Sequence, residues 1–277
     1  MSYKGFVNDQ LLISPQELKK RLEDPTLCLV DTRATHEFAA GHIPGAINLD
    51  FFNISLADTS PRVFDAFMSM MGYFMFSRGI SFDKTVVLYE NITSMRAARG
   101  FWFGEYLGLK DACLLDGGLR AWSEARYTVT TECREPMRGS FDLALKPERH
   151  IGVEELKGAL ARDDYVILDV RSDDEYYGRI ARAARAGSIP GAVHIEYTQN
   201  LDESGAFRSA AELKSLYEGA GVTPDKTIVC YCQGGYRSSL TYLALRMLGY
   251  PDVRNYIGSW KEWGDRQDLP LEIPEGE

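Results

Sequence analysis

The chain writes one pattern twice. Leu29-Val-Asp-Thr-Arg33 matches Ile167-Leu-Asp-Val-Arg171, so that Asp31 and Asp169 stand 138 residues apart. Ile43-Pro-Gly-Ala46 matches Ile189-Pro-Gly-Ala192 at a spacing of 146, and Thr85-Val-Val-Leu-Tyr89 matches Thr227-Ile-Val-Cys-Tyr231 at 142. Trp122 matches Trp263 at 141. Four anchors in one order, at nearly one offset, restrict the fold to two copies of a single unit. Within each copy, short β-branched runs alternate with helical patterns such as Ser14-Pro-Gln-Glu-Leu-Lys-Lys-Arg-Leu22 and Val153-Glu-Glu-Leu-Lys-Gly-Ala-Leu160. That alternation predicts an α/β fold with a mostly parallel sheet in each copy. Ser14, with Pro15 next and Glu17 three residues on, reads as a helix start. The polar stretch Thr128 to Arg149, with Pro136, Gly139 and Pro147, reads as a connector. The expected division is therefore residues 1–127, a linker at 128–149, and residues 150–277. Each part is long enough for its own core.

The second copy carries the chemistry. Thr227-Ile-Val-Cys-Tyr-Cys-Gln-Gly-Gly-Tyr-Arg-Ser-Ser239 reads as a buried strand over Ile228 to Tyr231, then a loop, then a helix over Leu240 to Leu248. Cys232 stands where the strand ends and the loop opens. Loop N–H groups and the positive end of the helix favour a thiolate there. Gly234 and Gly235 permit the backbone angles of such a cradle, and Arg237 adds a fixed positive charge. Gln233, Gly234, Gly235, Tyr236 and Arg237 are thus the candidate anion-binding residues around a sulfur nucleophile. Arg237 has two readings: contact with the anion, or a clasp that holds the loop through its N–H donors.

Composition removes several classes. The net charge of −9 argues against nucleic acid or an anionic membrane as partner. Apolar runs stop short of a membrane span, and the N-terminus lacks a signal-peptide pattern. Five cysteines, none at disulfide-framework spacing, point to the reducing cytoplasm. No cysteine pair has zinc spacing with histidines, so no metal is expected.

The Cys-x4-Arg loop resembles that of the rhodanese family of sulfurtransferases. So do the Asp-Val-Arg and Ile-Pro-Gly-Ala segments before it, and Gly258-Ser-Trp-Lys-Glu-Trp-Gly264 after it. The resemblance covers nearly the whole chain and implies two tandem rhodanese-like domains, each with helices on both faces of its sheet. It also implies that the first copy is a silent partner walling the cleft. The first copy's own residues agree. Glu90 stands at the place of Cys232, and the loop Asn91-Ile-Thr-Ser-Met95 is one residue longer and lacks glycine. A carboxylate cannot attack sulfur and repels an anion. Cysteine phosphatases use a cradle with five residues between cysteine and arginine, so loop length favours sulfur over phosphate.

The resemblance also places substrate-contacting arginines near Tyr176 to Arg185. Glu175 falls at the family's arginine position, which leaves Arg179, Arg182 and Arg185 as candidates for supplying that charge. Asp169 and Arg171, like Asp31 and Arg33 in the copy without cysteine, read as structural ion pairs. His42 reads as a turn-stabilising residue, and Trp260 and Trp263 as packing anchors. Cys230 has two readings, core residue or resolving cysteine, and its repeat partner Leu88 favours the core.

The activity expected from the resemblance is transfer of sulfane sulfur from thiosulfate, through a persulfide on Cys232, to a thiol or cyanide. Loop N–H groups of residues 233 to 237 would stabilise the sulfur anion, with no cofactor. Mercaptopyruvate as donor, and a non-catalytic sulfur carrier or redox sensor, are the alternatives.

Overall fold

The computed structural model describes residues 2–135, 138–140 and 143–275. Two compact units emerge from the contacts. Unit 1 comprises residues 1–54, 68–146 and 201–208, and unit 2 comprises residues 55–67, 147–200 and 209–277.

Unit 1 holds β1 (Leu12–Ile13), α1 (Pro15–Arg21), β2 (Leu27–Asp31), α2 (Thr35–Ala40), β3 (Ile47–Asn48), most of α3 (Pro61–Ser77), β4 (Thr85–Tyr89), α4 (Met95–Leu107), β5 (Ala112–Leu115) and α5 (Gly118–Glu124). Its sheet is parallel throughout, in the order β1-β5-β4-β2-β3. Strands β2 and β4 are buried along their whole length, as a parallel sheet covered on both faces requires. Leu27, Leu29, Val87, Tyr89, Cys113 and Leu115 alternate onto one face, where Leu18 of α1, Phe38 of α2 and Trp122 of α5 meet them. The opposite face takes α4 at close range, since a Cβ on Gly100 would stand 2.5 Å from Leu88 Cδ2. The Ser14 hydroxyl accepts the Glu17 N–H at 3.1 Å, so α1 begins where its sequence indicates.

Unit 2 holds α6 (Val153–Ala159), β6 (Tyr165–Asp169), α7 (Asp173–Tyr176), β7 (Val193–His194), α8 (Ala210–Gly219), β8 (Thr227–Tyr231), α9 (Arg237–Met247), β9 (Val253–Asn255) and α10 (Ser259–Trp263). Its parallel order β7-β6-β8-β9 repeats β3-β2-β4-β5 of unit 1. Ile167, Val229 and Tyr231 form one face with Leu156, Trp260 and Trp263. The two tryptophans are packing anchors, each donating its indole N–H to a main-chain carbonyl, Arg185 O at 3.0 Å and Pro270 O at 2.7 Å.

The Asp–Arg pairs are structural in both copies. Arg33 grips Asp31 at 2.6 Å and donates to Gly41 O, and Arg171 grips Asp169 at 2.6 Å and donates to Gly187 O. The hydroxyls of Tyr89 and Tyr231 accept the N–H of Ile43 and Ile189, each at 3.1 Å, which ties the Ile-Pro-Gly-Ala turns to the sheet. His42 is buried between Phe38 O at 2.9 Å and Glu132 O at 3.2 Å and stacks on Phe38.

Two segments depart from a division at 1–127 and 150–277. Residues 55–67 pack with unit 2, where Thr59 donates its N–H and hydroxyl to the Glu262 carboxylate at 2.7 and 2.8 Å and its oxygen accepts the Val153 N–H. Residues 201–208 pack with unit 1, where Asp116 accepts the Phe207 N–H at 2.9 Å. A repeat shows which elements correspond, not which of their neighbours a later segment displaces. Within the expected connector, Pro136 lies outside the described residues. Ala144 and Lys146 donate their N–H groups to Leu107 and Tyr106, which lays that stretch on α4.

Candidate active site

Strand β8 delivers Cys232 to the carboxyl edge of the unit 2 sheet, where open α/β folds hold their ligands. Helix α9 starts at Arg237, three residues earlier than the apolar periodicity suggests, so the loop has only Gln233 to Tyr236 between Cys232 and the helix. Gly235 adopts φ +82°, a left-handed angle that turns the chain back over the cysteine. The Gln233 side chain donates to Arg182 O at 2.8 Å, and Ser239 Oγ donates to Gly235 O at 2.6 Å, closing the loop from both ends.

Burial alone would raise the Cys232 thiol. The Arg237 charge and the N–H groups of Ser238 and Gly234 outweigh it and bring the thiol below its ordinary value. Gly235 directs its N–H to Ser259 Oγ at 3.1 Å, and Ser238, just beyond the loop, offers its backbone N–H to the sulfur while its hydroxyl donates to Asn255 Oδ1 at 2.7 Å. Cys230 lies two residues earlier, fully buried, and burial pushes its thiol well up. This is a core environment.

Arg237 does not stand alone. Glu175 Oε2 and Oε1 take its two terminal nitrogens at 2.6 and 2.9 Å. Burial would raise the Glu175 carboxyl, but the Arg237 pairing overrides it and holds the group at about 2. The corresponding groups of unit 1, Arg96 and Glu37, approach to 3.8 Å. A pair kept in the copy without cysteine fits the clasp reading of Arg237, with the charge toward Cys232 as its second effect.

Ser259 is a site residue that its sequence did not announce. Its hydroxyl accepts the N–H of Cys232 at 3.2 Å as well as that of Gly235, and donates to Tyr256 O at 2.8 Å. It holds φ +53°, strained for a side chain. The unit 1 counterpart, Gly118, has φ +58°, and a Cβ there would meet Glu90 O at 2.4 Å.

The three arginines of the 179–185 stretch separate. Four N–H donors of Arg185 are taken by the carbonyls of Trp263, Gly264, Arg266 and Leu269, which corrects its reading as a substrate contact: it is a clamp on the C-terminal segment. Arg179 is paired with Asp174 at 3.2 Å and lies over the Tyr177 ring. Arg182 comes to the loop, its carbonyl bound by Gln233 and its Nε 3.5 Å from Glu175. No group of three His, Cys, Asp or Glu among the described residues could hold a metal ion. No helix among them is long and apolar enough to cross a membrane.

A model of the rhodanese-like domain matches residues 14–125 and again 152–266. The chain belongs to the rhodanese family. Among its relatives, the thiosulfate sulfurtransferase of Azotobacter vinelandii is 36% identical over 97% of this chain and 99% of its own length. The sulfur carrier protein TtuD of Thermus thermophilus is 37% identical over 96% and 98%. The wild-type EanB structure superposes with a TM-score of 0.83 at 24% identity, covering 97% of this chain and 70% of that one, a likeness of fold.

The first rhodanese domain fills its own cradle. Glu90 Oε1 accepts the N–H groups of Arg96 at 2.8 Å and Ala97 at 3.3 Å, at the start of α4 where the second domain keeps sulfur. Burial dominates over these donors and raises the Glu90 carboxyl to about 7.

Proposed function

We propose that this chain is a sulfurtransferase that moves sulfane sulfur from thiosulfate through a persulfide on Cys232. The observation that carries this reading is the lowered Cys232 thiol inside a four-residue loop, between a strand end and a helix start. The names of the relatives in Azotobacter vinelandii and Pseudomonas aeruginosa, both thiosulfate sulfurtransferases, support it. The Cys232 thiolate attacks the outer sulfur of thiosulfate. The S–S bond breaks, and sulfite leaves with the bonding pair. The persulfide anion remains, held by the Gly234 and Ser238 N–H groups. Cyanide or a thiolate then attacks the terminal sulfur, and the Cys232 thiolate returns. No step calls for a cofactor.

The first domain, with Glu90 in its cradle, is catalytically silent in this scheme. The five free cysteines suit a reducing compartment, the cytoplasm. Turnover with thiosulfate and cyanide, and a gain of one sulfur mass on the Cys232 peptide without acceptor, test the reading together. An unmodified peptide under conditions of turnover overturns the persulfide. A sulfur-carrier role is the second reading, favoured by the name of the Thermus relative. A loaded persulfide that cyanide removes only slowly would single it out.

A further inference from the structure

The charge on Arg237 is matched by Glu175, so an anionic donor needs another cation. Three arginines near the loop already have carboxylates, Glu175 serving Arg237 at 2.6 Å and Arg182 at 3.5 Å and Asp174 serving Arg179 at 3.2 Å, while Arg185 is spent on main-chain carbonyls. Lys261 is different. Its N–H donates to Gln233 O at 3.0 Å, which fixes its backbone beside the loop. Its ammonium is half-buried and meets Ser55 Oγ at 3.1 Å, and among the described residues no carboxylate lies within 4.0 Å of it. Ser55 Cβ in turn stands 3.8 Å from where a Cβ on Gly234 would be. The ammonium is thereby brought to the part of the loop whose N–H faces the Cys232 sulfur.

The silent domain supplies the contrast. Arg120 occupies the equivalent place, with its N–H on Asn91 O, but Glu124 four residues on takes its charge at 3.1 Å. The equivalent of Glu124 in the second domain is Asp265, which accepts the Ala184 N–H at 2.7 Å instead. The carboxylate that would neutralise Lys261 is turned away. A partly desolvated, uncompensated ammonium attracts an anion more strongly than a paired one does.

We propose that Lys261, oriented by Ser55, recognises the oxyanion end of the sulfur donor, the sulfonate oxygens of thiosulfate and of the sulfite that leaves. This rests on the sulfurtransferase reading. As the S–S bond breaks, the bonding pair departs on sulfite beside Lys261, while the outer sulfur stays on Cys232. Lys261 is a specificity residue that favours an oxyanion-bearing donor over one that brings sulfur alone.

The test compares two donors, thiosulfate and an alkyl persulfide, with cyanide as the common acceptor, in the full-length protein. Lys261→Met should raise the KM for thiosulfate about ten- to a hundred-fold, the range for a hydrogen bond to a charged group. It should leave KM for the alkyl persulfide and the melting temperature near wild type, and Lys261→Arg should recover part of the thiosulfate KM. Equal losses with both donors, or unchanged thiosulfate kinetics in Lys261→Met, overturn the assignment. Should Lys261→Met fail to fold, Lys261→Gln carries the same comparison. A wild-type protein without thiosulfate turnover overturns the underlying reading itself, whereas an active wild type with an indifferent Lys261 variant overturns Lys261 alone.

Discussion

Glu175 and Arg237, 62 residues apart, meet in a two-pronged pair of 2.6 and 2.9 Å at the start of α9. The arginine thus has two tasks, holding α7 to the start of α9 and lowering the Cys232 thiol. Arg237→Ala should lift that thiol and strand the Glu175 carboxylate. Iodoacetamide should alkylate Cys232 more slowly near neutral pH, and the midpoint of the alkylation-rate profile should move to higher pH. Arg237→Lys should restore part of the shift, since a point charge replaces a fork. A profile unchanged in a folded Arg237→Ala protein would remove the arginine from the account of thiol activation.

Ser259 invites a pair of substitutions that separate strain from hydrogen bonding. Ser259→Ala keeps the left-handed angle and leaves the Cys232 and Gly235 N–H groups without their acceptor, a loss of about 1–3 kcal/mol. Ser259→Gly loses the same acceptor but relieves the backbone, so it should be the more stable variant by about 1 kcal/mol. Urea unfolding of the two variants checks the order. Both should slow sulfur transfer.

Glu90 makes the first domain sensitive to pH. Its carboxyl rises from an ordinary 4.5 to about 7 on folding. The folded state therefore binds the proton more tightly, so this contribution to stability is complete below pH 4.5 and disappears as pH rises through 7. Glu90→Gln should flatten that part of the stability profile between pH 5 and 8, as thermal melts across the range would reveal. Glu90→Cys combined with Cys232→Ser should stay inactive, because the loop is a residue too long and lacks glycine.

Cys232→Ser should abolish turnover, since an alkoxide is unavailable near neutral pH. Cys230→Ser should keep most of it, at some expense in stability from a hydroxyl placed in the core. A folded Cys230→Ser protein that no longer turns over would promote Cys230 to a redox partner.

Much of this was legible in the chain. The repeat foretold two parallel sheets of matching order. The strand before Cys232 stands where its apolar run puts it, whereas the helix after it begins at Arg237, three residues ahead of its apolar pattern. Asp31 and Asp169 were readable as structural because they recur where the cysteine does not. At Glu175 the sequence shows only a departure from an arginine position, because comparison by position asks which residue type is present, whereas the fold asks which charge it faces. Ser259 gave no signal, because serine does not declare the sign of φ. The freedom of Lys261 depends on Asp265 turning to the Ala184 N–H, a choice of partner invisible in spacing.

The exchange of residues 55–67 and 201–208 between the two units makes each half of the gene a poor template for a free-standing protein. A polypeptide started at residue 150 lacks Thr59, and with it two donors to the Glu262 carboxylate and the acceptor for the Val153 N–H at the head of α6. A copy that lends such a piece to its twin is needed whatever chemistry it performs itself. Deletion of the first domain is closed to this lineage unless the second one first evolves a replacement for that borrowed arm.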